Sequence, residues 1–220
     1  MTAMTSTMAI ADEAVVWSVS QAGRADALAT RPLLVLMHGR GSHEHDLFAL
    51  APLLPSEAVI ASLRAPLQLG DNFSWFPAGD PGLPSPIAAA GATEAVLEWL
   101  DTVPSAGPVW LLGFSQGGAM ATQLMRFAPE RFTAAVILSG FVIAGELPGD
   151  ATLEVSRPPM FWGRDPVDPV ITQAAVQRTA EWLPAHSSLT MREYAAIGHS
   201  ISREELDDVN AFLRASISGD

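Results

Sequence analysis

Three segments of this chain hold side chains of the types that attack a carbonyl carbon, move a proton and orient the group that moves it. The first is Gly113-Phe114-Ser115-Gln116-Gly117-Gly118. It follows the apolar run Val109-Trp110-Leu111-Leu112 and precedes the helix-like stretch Ala119–Arg126. A serine flanked by glycines at a strand-to-helix turn forms a nucleophile elbow, in which a strained turn lifts the hydroxyl above the strand ends. Glycine on either side leaves room for backbone to approach backbone.

A serine hydroxyl is a weak nucleophile until a base takes its proton, and the base must itself be oriented by an acid. In this arrangement the order along the chain is Ser, then Asp or Glu, then His. Downstream of Ser115 stand His186 and His199. His199, in Gly198-His199-Ser200-Ile201, falls between the last expected strand and the last expected helix, where a base can reach Ser115. His186 ends a helical stretch on the opposite edge and reads as a C-capping or solvent-exposed histidine. The acid is expected in Gly163-Arg164-Asp165-Pro166-Val167-Asp168-Pro169-Val170-Ile171, where two aspartates stand three apart. Spacing alone does not choose between Asp165 and Asp168; the one not used caps a turn.

Attack on a carbonyl leaves an oxyanion that needs preorganised donors, commonly two backbone N–H groups. One is expected from Gln116, the other from Arg40 in His38-Gly39-Arg40-Gly41-Ser42. Phe73, Trp75 and Phe76 either line an acyl pocket or fold a long loop onto the surface. His43-Glu44-His45-Asp46 has metal-binding residue types, but Leu47 and Phe48 supply no ligand at the His-Glu-x-x-His spacing. It reads as the polar start of a helix, and no metal site is expected.

The elements that must position these residues are legible as apolar runs alternating with helical patterns. Strands are expected over Glu13–Val19, Pro32–Met37, Ala58–Leu63, Val109–Phe114, Thr133–Leu138, Pro159–Trp162 and Ser188–Tyr194. Helices are expected over His45–Leu53, Gly91–Asp101, Gln116–Phe127, Thr172–Leu183 and Ser202–Ser216. The last helix opens with a Ser-x-x-Glu capping box. This alternation predicts an α/β domain with a mostly parallel sheet covered on both faces. The Pro- and Gly-rich segment Arg64–Ala90 and the segment Gly140–Pro159 read as long loops, neither large enough for a separate cap domain. Residues 1–12 are expected to form a disordered N-terminal tip and 13–220 a single domain.

Composition narrows the chemistry. The 220 residues include no cysteine, and every basic residue is an arginine. Disulfides, thiolate metal sites, cysteine nucleophiles and lysine Schiff bases are thereby excluded. A formal net charge of −12 disfavours nucleic acid and anionic membrane surfaces as partners. No apolar stretch reaches the length of a membrane span, and residues 1–11 do not resemble a signal peptide. The expectation is a cytoplasmic, cofactor-independent protein without stable membrane insertion, for which a homodimer stays open.

Taken together, Leu36-Met37-His38-Gly39-Arg40-Gly41, Arg64-Ala65-Pro66, Ser74-Trp75-Phe76, Gly113-Phe114-Ser115-Gln116-Gly117-Gly118, Leu138-Ser139-Gly140 and Gly198-His199-Ser200-Ile201 resemble the carboxylesterase/phospholipase family of α/β-hydrolases. That family includes acyl-protein thioesterases and lysophospholipase-like carboxylesterases, and the resemblance runs from about Leu33 to Leu213. It implies an α/β-hydrolase fold and a serine esterase working through an acyl-enzyme on a small-molecule ester. The nucleophile would be Ser115, the base His199 and the oxyanion donors Gln116 and Arg40. The family's Gly-x-x-x-x-Asp-Pro-Val-Ile pattern favours Asp168 as the acid, with Thr172 where the family has proline; a shorter form would favour Asp165. Eukaryotic thioesterases carry leucine where Arg40 stands, so short-chain esters are the safer implication than lipidated proteins. The alternatives are acyl-thioesterase or lysophospholipase activity on the same residues, acyl transfer, or a non-catalytic binding module of the same fold.

Overall fold

Strands that are apolar without interruption are stable only where both faces of the sheet are covered, and that is the setting in which these runs are found. The computed structural model describes residues 8–79 and 84–218. Its strands are β1 (Val16–Trp17), β2 (Leu33–Met37), β3 (Val59–Leu63), β4 (Leu67–Leu69), β5 (Asn72–Ser74), β6 (Val109–Phe114), β7 (Ala134–Leu138), β8 (Pro159–Arg164) and β9 (Ser188–Glu193). The helices are α1 (Arg24–Thr30), α2 (Glu44–Phe48), α3 (Pro86–Thr102), α4 (Gln116–Phe127), α5 (Asp150–Ser156), α6 (Gln173–His186) and α7 (Arg203–Ser218).

Seven strands form one sheet in the order β1-β3-β2-β6-β7-β8-β9. β1 is antiparallel to β3, and the remaining pairs are parallel. Successive side chains of a strand point to opposite faces, which splits the core in two. Leu33, Val35, Met37, Leu111 and Ile137 pack with residues of α3 and α4 such as Val96, Trp99, Met120 and Leu124. Leu34, Leu36, Trp110, Leu112 and Val136 pack with Leu47 of α2 and with Leu206, Val209 and Leu213 of α7. Among the described residues, no helix is long and apolar enough to cross a membrane.

The strand order sets where a ligand can sit. The chain leaves β2 for β3 on one side and leaves β6 for β7 on the other. The loops after β2 and β6 therefore diverge and open a crevice at the carboxyl ends of the strands. Met37 pairs with Gly113 at that end, so Arg40 and Ser115, a few residues beyond, face the same crevice.

Several expectations need correction. The strand expected over Glu13–Val19 is reduced to β1, because Asp12–Ala14 form a 3-10 turn. The helix expected over His45–Leu53 breaks after Phe48 and resumes as a 3-10 turn over Ala51–Leu53, with proline in its first turn. α3 starts at Pro86 rather than Gly91, capped by the Ser85 side chain, which accepts from Ala88 N–H. The two long loops contain structure of their own: the β4–β5 hairpin around Gly70-Asp71 in the first, α5 in the second. The first seven residues of the tip expected over 1–12 lie outside the described residues. From Met8 onward the chain packs on the core, with Ile10 buried.

One contact in the core is unusual. Ser202 caps α7 by accepting from Glu205 N–H at 3.0 Å, as the capping box requires. The Glu205 carboxyl is fully buried against the backbone of Gly163 in β8, where a Cβ would come within 2.2 Å of Oε1. Neither carboxyl oxygen has a hydrogen-bond partner among the described residues. Burial pushes this acid from 4.5 up to about 7, and the Asp208 charge adds to the shift. The folded chain therefore holds the proton more tightly than the unfolded one. The corresponding stability is fully present below about pH 4.5 and is lost as pH rises through about 7. Glu205→Gln has no proton to lose. In denaturant titrations at about pH 8 it should be more stable than the natural chain by up to about 3 kcal/mol, with the gap closing as pH falls toward about 4.5. A gap that does not change with pH would mean that Glu205 is not held neutral by burial.

Candidate active site

Ser115 stands between β6 and α4 at φ 56°, ψ −115°, a left-handed conformation that costs a non-glycine residue about 1–3 kcal/mol. The close packing of the turn enforces it. A Cβ on Gly113 would lie 2.0 Å from the Gly117 carbonyl oxygen, and one on Gly117 would lie 1.9 Å from that of Met37 in β2. The Ser115 N–H donates to Leu138 O of β7 at 2.8 Å. The serine hydroxyl is thus held above the strand ends by three strands and one helix.

The loop after β9 brings His199 to it. His199 Nε2 lies 2.9 Å from Ser115 Oγ, and His199 Nδ1 lies 2.7 Å from Asp168 Oδ2. A carboxylate only accepts, so Nδ1 carries the hydrogen and Nε2 is left with its lone pair toward the serine. The second Asp168 oxygen accepts from Val170 N–H at 2.7 Å and Ile171 N–H at 3.1 Å, which fixes the carboxylate plane. The Phe114 ring packs on the imidazole at 4.9 Å between centroids.

Asp165 is placed differently. Its oxygens accept from Val167 N–H at 2.8 Å and Gly198 N–H at 2.7 Å. Those N–H groups, Val167 first, hold its carboxyl below the ordinary aspartate range. It anchors the histidine loop one residue before His199, in a stretch where Ala196 and Gly198 both have positive φ.

The loop after β2 is braced from the segment that reads as a long loop. Gly41 N–H donates to Phe73 O at 2.8 Å and Phe73 N–H to Ser42 O at 2.9 Å, so β5 extends its pairing onto this loop. His38 is buried, which lowers its affinity for a proton. Its Nε2 accepts from Ala65 N–H at 3.1 Å, which leaves Nδ1–H to donate to Gly39 O at 2.7 Å. Trp75 Nε1–H donates to His38 O at 2.8 Å. The Gln116 side chain closes the brace: its Oε1 accepts from Trp75 N–H at 2.8 Å and its Nε2 donates to Phe76 O at 2.7 Å. The Gln116 N–H heads α4, where a helix has no internal acceptor for it.

Ser115, Gln116, Arg40 and His199 share the wall of a cavity of about 360 Å³ with Phe76, Phe141, Val170, Ile171 and Ala175. Of the three aromatic residues expected as substrate contacts, Phe76 lines this cavity. Trp75 is instead fully buried with its indole spent on His38, and Phe73 packs under the Arg64 guanidinium. Sequence reasoning missed Phe141 and Val170-Ile171. Both follow strand ends, the position where such a fold exposes ligand contacts. Arg126 of α4 ties down the segment that carries Phe141. Its guanidinium is buried and bonds Asp150 at 2.7 Å and the Ile143 carbonyl at 2.9 Å.

The histidines and carboxylates set aside above have other partners. His186 stacks flat on Trp182 at 4.1 Å and bonds Trp182 O through Nδ1 at 2.7 Å. Glu44, in the first turn of α2, is bonded by Arg64, and that contact lowers its pKa to about 2.

Comparison with known proteins bears on the whole arrangement. Residues 88–217 match the family model described as phospholipase/carboxylesterase. The chain is 27% identical over 159 residues to carboxylesterase SOBER1 of Arabidopsis thaliana, a match covering 66% of this chain and 69% of that protein. It is 31% identical over 108 residues to acyl-protein thioesterase 1 of Candida albicans, covering 46% of this chain and 47% of that protein. The chain spans less than half the length of several curated relatives it matches. In fold it is similar to a crystal structure of a Bacillus cereus carboxylesterase, with a TM-score of 0.76 at 21% identity, covering 92% of this chain and 93% of that one.

Gln116→Ala would keep the backbone N–H that heads α4 and remove both bonds to the Trp75–Phe76 segment. Each buried backbone group left without a partner costs about 1–3 kcal/mol, so urea unfolding should show a loss of about 2–4 kcal/mol with an unchanged m-value. Unchanged stability would mean that the side chain does not hold the segment.

Proposed function

The chain belongs to the phospholipase/carboxylesterase family, and from that premise we propose that it is a cofactor-independent serine hydrolase of carboxylic esters with short to medium acyl chains. The observation that carries this reading is the hydrogen-bonded series Asp168–His199–Ser115, with separations of 2.7 and 2.9 Å.

In this mechanism Ser115 Oγ attacks the ester carbonyl carbon while His199 Nε2 takes its proton. Asp168 keeps the imidazole in the right tautomer and stabilises the imidazolium. The carbonyl oxygen becomes an oxyanion that accepts from the N–H groups of Gln116 and Arg40. His199 then returns the proton to the departing alkoxide oxygen, the carbon–oxygen bond breaks, and an acyl-Ser115 ester remains. Water repeats the sequence, with His199 again as base, to release the acid and restore the serine. A cavity of about 360 Å³ lies at the small end of ligand pockets, about 300–1,000 Å³, which supports a short acyl group. A thioester would meet the same residues, and the match to a protein named acyl-protein thioesterase 1 makes it the second substrate to test.

Ser115→Ala should retain the fold by circular dichroism, lose hydrolysis of 4-nitrophenyl acetate and of an acyl thioester, and no longer react with a fluorophosphonate. Wild-type-like turnover in that variant would refute the assignment, and a natural chain that neither turns over nor reacts would make the protein a binding module. Asp168→Asn should lower kcat by about 10³–10⁴-fold, and Asp165→Asn by much less. The reverse order would make Asp165 the acid.

A further inference from the structure

Twelve arginines face 24 carboxylates in this chain, so cations are scarce and their use is informative. Most are paired with a carboxylate, as Arg64 is with Glu44 and Arg126 with Asp150. Arg31, Arg157 and Arg178 donate to backbone carbonyls, and Arg24 lies over the Trp17 ring. Among the described residues, Arg40 alone has no carboxylate, carbonyl or ring partner.

An unpaired surface arginine is unremarkable by itself, since an exposed ion pair is worth about 0–1 kcal/mol. The position of this one is what matters. Its backbone is pinned between the bonds that His38 and Gly41 make to neighbouring segments, so its side chain starts from a fixed point at the wall of the cavity. It lines the same cavity as Ser115 and His199, and among the described residues no aspartate or glutamate lines that cavity. The other polar groups there have tasks: the Gln116 amide holds Trp75 and Phe76, and Thr172 Oγ1 caps α6 by accepting from Ala175 N–H. In an acidic protein the described residues of the cavity therefore present one fixed charge, and it is positive. A guanidinium is a planar fork matched to two oxygens of one anion.

We propose that the Arg40 side chain is an anion-recognition group and that the preferred substrates are small esters carrying a carboxylate or phosphate in addition to the ester bond. This rests on the reading of Ser115 as the nucleophile and adds a role for the side chain to the one proposed for the Arg40 N–H.

The test compares kcat/KM within isosteric pairs. Mono-4-nitrophenyl adipate against 4-nitrophenyl methyl adipate places the charge on the acyl side. 4-Acetoxybenzoate against its methyl ester places it on the alcohol side. The anionic member of at least one pair should be favoured by about 10–100-fold, the range of one charge-assisted bond, and the preference should shrink as salt is raised. In Arg40→Gln the ratio should fall to near one, whatever happens to the turnover common to both esters, and Arg40→Lys should restore part of it. Arg131→Gln, which removes an equal charge at the opposite end of the strands, before β7, should leave the ratio unchanged. Competition by benzoate against phenyl phosphate tells which anion is preferred. A ratio near one in the natural chain for both pairs, with neutral esters turned over and Ser115 reactive, would overturn the proposal and leave the hydrolase reading intact. A preference that survives Arg40→Gln would also overturn it. Absence of turnover on every ester, with an unreactive Ser115, would remove the hydrolase reading and this proposal with it.

Discussion

Ser115 can hold a left-handed backbone only because α4 is jammed against the ends of the central strands. Met37 and Gly117 approach so closely that a single added carbon between them would sit 1.9 Å from a carbonyl oxygen. The strain of about 1–3 kcal/mol is distributed over a junction of β2, β6, β7 and α4 that cannot relax in one place without moving the others. Everything else at the site takes its position from this junction. The crevice opens there because β2 and β6 send their connections in opposite directions, and the histidine loop reaches over it from the far side of the sheet.

The rest of the site is assembled from distant segments by hydrogen bonds that carry no chemistry of their own. His38 is held in one tautomer by the Ala65 N–H, and its own carbonyl takes the Trp75 indole hydrogen. Asp165 grips the loop one residue before His199. Arg126 secures the segment that presents Phe141. In each case a polar group is removed from water and given a partner, which makes these contacts costly to break and the cavity rigid.

How much of this could be read from residue order depends on distance along the chain. β6 and α4 coincide with the expected bounds because an apolar run and a helical run meet at a glycine-rich turn. The order Ser, Asp, His along the chain singled out Ser115 and His199, whose side chains lie 2.9 Å apart. α1 and α5 left little trace because each buries a single leucine, Leu28 and Leu153, too little for a helical period to register. The β4–β5 hairpin has three-residue strands, and its Gly70-Asp71 turn was its one local signal. The choice between Asp165 and Asp168 and the burial of Trp75 turn on contacts between segments 30 or more residues apart, which spacing does not encode.

Gln116 illustrates what such a brace means for reading motifs. Its amide touches no reacting atom, yet both ends of it are occupied by the backbone of Trp75 and Phe76. The glutamine side chain in Gly-Phe-Ser-Gln-Gly thus serves a neighbouring segment. A transplant of the pentapeptide into another scaffold would carry over the letter without its purpose. The portable unit is the turn together with the Leu67–Phe76 segment that the glutamine holds.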